Sequence, residues 1–100
     1  MRPNIAFKKY RSAIISILHS IPIDGTCNMY LYGSAARGDD SEDSDLNILI
    51  ETQSRGCTIL DYWDAEYAIS ELTGCKVSIR PSCNLDPFVL ETAMEEAIKI

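Results

Sequence analysis

Between Asn28 and Ile50 the chain permits very few local structures. Asn28-Met29-Tyr30-Leu31-Tyr32 is a short aromatic and aliphatic run, bounded by Gly25 and Gly33, and reads as a buried strand. It ends directly on Gly33-Ser34, where Ser34 is placed to cap a short helical turn through Ala35-Ala36-Arg37, closed by Gly38. An acidic loop, Asp39 to Ser44, leads into a second strand from Asp45 to Glu51. Side chains alternate along a strand, so Leu46, Ile48 and Ile50 take one face and Asp45, Asn47, Leu49 and Glu51 the other. A strand–glycine–helix–strand unit with one fully apolar face requires helices to cover that face.

The flanking segments supply them. Tyr10, Ile14, Ile17, Leu18 and Ile21 recur at three- and four-residue spacing, predicting an amphipathic helix from about Ile5 to His19, stopped by Pro22. An Asp24-Gly25 turn precedes the first strand, and a loop around Ser54-Arg55-Gly56 follows the second. A helix is expected from Thr58 to Thr73, with Gly74 as its stop, and Tyr62, Trp63 and Tyr67 at helical spacing are assigned to core packing. Cys75 to Arg80 reads as a third strand. Asp86-Pro87 opens a last helix as N-cap and first helical residue, with Leu90, Met94, Ala97 and Ile98 as its inward stripe.

The chain has 100 residues, 46% of them apolar, which suits one domain, residues 1–100, with a modest core and no staples. Its net charge of -6 argues against nucleic acid as a partner, because gripping a phosphate backbone needs a basic stripe. Arg2, Lys8, Lys9 and Arg11 form a small basic cluster, read as a solvated helix face. Cys27, Cys57, Cys75 and Cys83 are 30, 18 and 8 residues apart, a spacing that supplies no zinc site. Reduced thiols and a cytoplasmic setting are expected. The apolar stretch from Ala13 to Ile23 is interrupted by Ser16, His19, Ser20 and Pro22, too short to span a bilayer and without a cleavage site, so no membrane association is expected. His19 lies near a helix C-terminus, where a cation is favourable.

The residues from Tyr30 to Ile50, YLYGSAARGDDSEDSDLNILI, closely resemble the core motif of the minimal nucleotidyltransferases of the polymerase-β-like superfamily. Gly33-Ser34 together with Ala36-Arg37-Gly38 and Asp43-Ser44-Asp45, flanked by buried strands, is the specific part of the match. The later helix, Gly74 to Ile79 and the closing helix extend it over nearly the whole chain. The resemblance implies an α/β fold, α-β-α-β-α-β-α, with a small mixed sheet flanked by helices. It also implies transfer of a nucleoside monophosphate, AMP from Mg-ATP, to a hydroxyl of a protein or small molecule. Members of this size commonly serve as antitoxins that modify or mask a HEPN-type toxin, which the resemblance suggests as the partner here.

The chemistry accounts for the motif. A glycine backbone N–H approaches a phosphate closely and a helix start adds partial positive charge, so Gly33 and Ser34 suit the β- and γ-phosphates. Arg37, in the same turn, either contacts phosphate or pairs with Asp43 or Asp45 to set the loop. Carboxylates two apart on the next strand point to one side, where the family holds Mg2+. Here the two metal positions are Asp45 and Asn47, the second an amide. A third carboxylate, on the following strand, falls at Ser78, which alternation places on one face with Lys76 and Arg80. Glu51 lies about 20 Å along the strand from Asp45, too far to share a metal, while Asp43 is about 7 Å away and could stand in. With Asp45, Asn47 and Ser78 at the catalytic positions, two of three expected carboxylates are missing. Three functions stay open: an active transferase, a catalytically degenerate antitoxin-like binder with or without nucleotide, and a structural subunit with a vestigial pocket.

Overall fold

The computed structural model describes residues 1–22, 28–51 and 59–100. The Asp24-Gly25 turn, the Ser54-Arg55-Gly56 loop, Cys27, Cys57 and the helix start at Thr58 lie outside the described residues. The elements are α1 (Pro3–Lys9), α2 (Arg11–His19), β1 (Asn28–Tyr32), α3 (Ser34–Arg37), β2 (Leu46–Glu51), α4 (Ile59–Thr73) and β3 (Val77–Pro81). A 3-10 turn (Ser82–Asn84), α5 (Pro87–Glu96) and β4 (Ile98–Lys99) follow.

The expected first helix is two helices, broken at Tyr10, whose backbone leaves the helical region at φ -108°, ψ 22°. Its hydrogen bonds still run through the break, from Tyr10 N to Ala6 O and from Ile14 N to Tyr10 O. The helix also starts earlier than Ile5, at Pro3. Proline suits the first helical position, and the next free N–H, on Asn4, donates to Asp40 Oδ2 at 2.8 Å. That cap comes from the acidic loop, far away in sequence, so no local signal marked it. Lys8, Lys9 and Arg11 are exposed as expected, with Lys9 over the Tyr10 ring and Arg11 over that of Phe7.

The sheet order is β3-β2-β1-β4. β1 pairs antiparallel with β2 and with β4, whereas β2 and β3 run parallel. Parallel neighbours need a crossover, and α4 provides it. Met29, Leu31, Leu46, Ile48, Ile50 and Ile79 form the covered face, packed with Ile14 and Leu18 from α2 and with Tyr62, Ala65 and Ile69 from α4. The second and third strands begin later than expected, at Leu46 and Val77, and their ladder opens with Leu46 N donating to Lys76 O at 2.7 Å.

On α4, Tyr62 is buried but Trp63 and Tyr67 are 52% and 69% exposed, which corrects their assignment to the core. The buried side of α4 is made by Tyr62, Ala65, Ile69 and Thr73, leaving the other two rings on the opposite side. Gly74 ends the helix at φ 74°. Asp86 caps α5 as expected, its Oδ1 accepting from Phe88 N at 2.9 Å. The stripe expected on α5 is corrected as well. Ala93 is its buried residue, the helix stops at Glu96, and Ile98 lies in β4, 48% exposed. Pairing with the open edge of β1, including Ile100 N to Met29 O at 2.9 Å, satisfies backbone groups that helical periodicity does not report.

Candidate nucleotide site

The opposite face of the sheet, on which Leu49 is fully buried, carries the residues singled out by the motif. Strand register sets Tyr32, Asn47 and Ser78 side by side in one row across β1, β2 and β3. The adjacent row is Tyr30, Leu49 and Arg80. Asn47 and Ser78 are half-buried, while Asp45 is exposed and stands one residue before β2. Tyr32 is held above the ordinary tyrosine value by burial, an effect opposed by the positive charge of Arg80. Arg80 therefore acts across β2 toward the first row.

Gly33 joins β1 to α3 with φ 78° and ψ -156°, a conformation essentially reserved for glycine. A Cβ built there would lie 3.0 Å from Asn47 Nδ2, so the missing side chain also lets the Asn47 amide pack against the turn. The expected capping role of Ser34 is corrected. Gly33 is the N-cap, Ser34 is the first helical residue, and no side chain caps the helix. The first N–H groups of any helix lack intrahelical acceptors, so this turn presents donors beside Asn47. Gly38 closes it in the left-handed conformation, with its N–H to Ser34 O at 2.9 Å.

Arg37 pairs with neither Asp43 nor Asp45. Its Nη1 donates to Glu96 Oε2 at 2.7 Å and its Nε to Asp39 Oδ2 at 3.1 Å. These bonds, the one to Glu96 foremost, raise its pKa further. The reason is tertiary: α5 brings Glu96 to α3, and Asp39 is two residues along the chain. Asp40 turns inward to cap α1, and a Ser41–Ser44 turn, with Ser41 N to Ser44 Oγ at 2.9 Å, leaves Asp43 exposed. The acids of the loop thus have separate tasks rather than forming one cluster.

Between the end of β1 and α5 lies an open cleft of about 270 Å³, lined by Tyr32, Gly33, Phe88, Val89, Thr92, Ala93 and Glu96. It adjoins the glycine turn. Sequence reasoning missed Tyr32, Glu96 and this cleft. Alternation already put Arg80 on the face of Ser78, whereas nothing local announces that α5 folds back over Gly33. Among the described residues no three His, Cys, Asp or Glu side chains group to hold a metal ion. Nor is any described helix long and apolar enough to cross a membrane.

Comparison with known proteins agrees with this geometry. The family model described as the nucleotidyltransferase domain matches residues 14–100. A proposed protein adenylyltransferase of Methanocaldococcus jannaschii is 29% identical over 70 residues, 70% of this chain and 74% of the relative. A solved structure described as a proposed minimal nucleotidyltransferase superposes with a TM-score of 0.79 at 30% identity, covering 97% of this chain and 95% of its own. A toxin–antitoxin complex solved with AMP-PNP shares the fold, with a TM-score of 0.74 at 15% identity over 88% of this chain and 69% of its own. A mutant of the toxin–antitoxin pair MntA–HpeT is similar in fold, with a TM-score of 0.73 at 14% identity over 88% of this chain and 69% of its own. With the glycine turn, the row of Asn47 and Ser78 and the mixed sheet all in place, the chain belongs to the nucleotidyltransferase domain family, as a minimal nucleotidyltransferase.

Proposed function

We propose that this protein binds ATP through Gly33 and Ser34 and serves as an antitoxin-like partner protein in which AMP transfer is weak or lost. The observation that carries this reading is the row Tyr32–Asn47–Ser78, which is neutral where the resemblance calls for carboxylates at the second and third positions. AMP transfer requires the acceptor oxygen to bond the α-phosphorus as the bond to the bridging oxygen breaks and pyrophosphate leaves. The acceptor's proton needs a base. Ser78 is a poor one, and loss of a general base typically costs about a hundredfold to ten-thousandfold in rate.

The donor set does not fit a two-ion Mg2+ centre. Asp45 is the one carboxylate at the three motif positions, exposed and outside the strand, and Asn47 can offer a cation only a neutral carbonyl oxygen. Asp45 and Asn47, the expected metal ligands, leave at most one ion to be shared with phosphates and water. Support for a nucleotide comes from the solved toxin–antitoxin structure of the same fold that contains AMP-PNP and from the adenylyltransferase name of the archaeal relative.

Calorimetry with Mg-ATP tests the binding reading. Saturable heat at or below millimolar nucleotide is expected, and none from folded protein overturns it. Incubation with labelled ATP and the native partner is expected to give no label transfer by the unaltered chain, and robust labelling refutes the loss of activity.

The partner reading has its own support in α4, where Leu60, Trp63 and Tyr67 form an exposed stripe flanked by the exposed acids Asp64 and Glu71. Exposed aromatic residues are enriched at protein interfaces, and the acids favour a basic partner over a second copy of this chain. The family resemblance makes a HEPN-type toxin the leading choice, and solved structures of the same fold described as toxin–antitoxin support a protein partner of that kind. Co-purification from the native host of a HEPN-type polypeptide, abolished by Trp63→Asp with Tyr67→Asp, is the expected result. A monomer that captures no such polypeptide counts against the partner.

A further inference from the structure

We propose that this site binds the phosphates of a nucleoside di- or triphosphate without a divalent cation, with the Arg80 guanidinium supplying the positive charge. The inference rests on the nucleotide reading above and concerns how the charge of the phosphates is met.

The groups that face this surface decide it. From β1 come Tyr30 and Tyr32, from β2 Asn47 and Leu49, and from β3 Ser78 and Arg80. None is acidic. The acids that approach are Asp45, exposed at the mouth before β2; Glu51, the next residue of β2 on this face beyond Leu49, whose Oε1 accepts from Asn28 Nδ2 at 3.2 Å; and Glu96 on α5, which is already bonded to Arg37 at 2.7 Å. Arg37, the cation expected for phosphate, is thereby neutralised from two sides by Glu96 and Asp39. Arg80 forms no ion pair among the described residues and is exposed.

Placement makes Arg80 usable. It stands one side-chain row from Asn47 and Ser78, about 7 Å along the strand, within reach of an extended arginine. Alternation along β3 puts its side chain on the face of Ser78, and its positive charge opposes the rise in the Tyr32 pKa from across β2. A guanidinium presents a planar fork of donors that matches two phosphate oxygens and needs no deprotonated ligand to hold it. A divalent ion, by contrast, is retained by carboxylates, and two of the three motif positions provide an amide and a hydroxyl. Those neutral groups suit phosphate oxygens directly, because the Asn47 amide and Ser78 hydroxyl donate hydrogen bonds where carboxylates would repel.

The test is titration of the full chain with ATP in EDTA and again with excess Mg2+, then with Arg80→Gln, Arg80→Lys and Asp45→Asn, each checked for folding by circular dichroism. The affinity of the unaltered chain in EDTA should stay within about threefold of that in Mg2+. Arg80→Gln should weaken binding in EDTA at least tenfold, about 1.4 kcal/mol, with partial recovery in Arg80→Lys. Asp45→Asn should bind as well or better, since it removes a repelling charge. Binding that appears only with Mg2+, fails in Asp45→Asn and ignores Arg80→Gln overturns this inference while leaving the nucleotide reading standing. No binding under any condition overturns both. The EDTA measurement needs no variant, so a misfolded substitution does not shield the proposal.

Discussion

At the scale of single residues, the candidate site depends on Gly33 in two separable ways. Its φ of 78° and ψ of -156° strain any other residue, and a Cβ would meet Asn47 Nδ2 at 3.0 Å. Gly33→Ala should therefore destabilise by about 1–3 kcal/mol from strain alone, with the collision added, as measured by urea unfolding. Gly38→Ala should cost less, about 1–2 kcal/mol, because nothing lies within 4 Å of its Cβ. Trimming Asn47 to Ala should recover the collision part of the Gly33 defect in a double-mutant cycle, and strict additivity would show that the two do not touch. Tyr32 offers a check on Arg80 that needs no ligand. Burial raises the tyrosine above its ordinary 10.0 and Arg80 lowers it, so Arg80→Gln should move its titration, followed by absorbance, to still higher pH. A folded-state value above the unfolded one means Tyr32 contributes stability that is complete below pH 10 and is lost as pH rises through its folded value. The glycine and the alternation of Asn47 and Ser78 could be read along the chain. The partners of Arg37 could not, because Glu96 reaches it only through the fold.

Elements show the same division. Asp86-Pro87 announces its helix by local chemistry, and Asp86→Ala should cost about 0.5–2 kcal/mol through loss of the bond to Phe88 N. The cap of α1 is remote, and Asp40→Ala should cost a comparable amount by stranding the Asn4 N–H, although Arg2 at the cap position makes no side-chain cap bond. The free edge of β3 is guarded in a similar way. Glu66 on α4 accepts from Ile79 N at 3.0 Å, occupying a donor that an added strand would use. Glu66→Ala should lower stability by about 1–3 kcal/mol and raise the tendency to associate, seen as a concentration-dependent shift in size-exclusion elution. The other edge is covered by β4, which the helical pattern of Leu90, Met94, Ala97 and Ile98 had concealed. Periodicity reports how a segment could bury its own side chains, whereas β4 exists because β1 has backbone groups to satisfy.

Across the whole molecule, the face of the sheet packed by α2 and α4 carries the stability and the opposite face carries the candidate site. Ile14→Ala should cost about 2–5 kcal/mol with little change in nucleotide affinity at a temperature where the variant remains folded, since Ile14 is fully buried on the far side of the sheet from Asn47. Asn47→Asp with Ser78→Asp should raise label transfer from ATP above that of the unaltered chain. No gain would mean that more than the missing carboxylates limits turnover. The alternation of helices with the first three strands, the covered face through Leu46, Ile48 and Ile50, the glycine turn and the absence of two carboxylates were all determined by the sequence alone. Each follows from local sterics, from alternation, or from residue identity at a motif position. The tertiary structure decided what required distant groups to meet: Asp40 at the start of α1, Glu96 on Arg37, β4 on the edge of β1, the exposed rings of α4 and the Arg80 charge beside Tyr32. The physical reason is that a strand or turn is specified by neighbours along the chain. A cap, an ion pair or a local field is specified by whatever packing brings within a few ångströms.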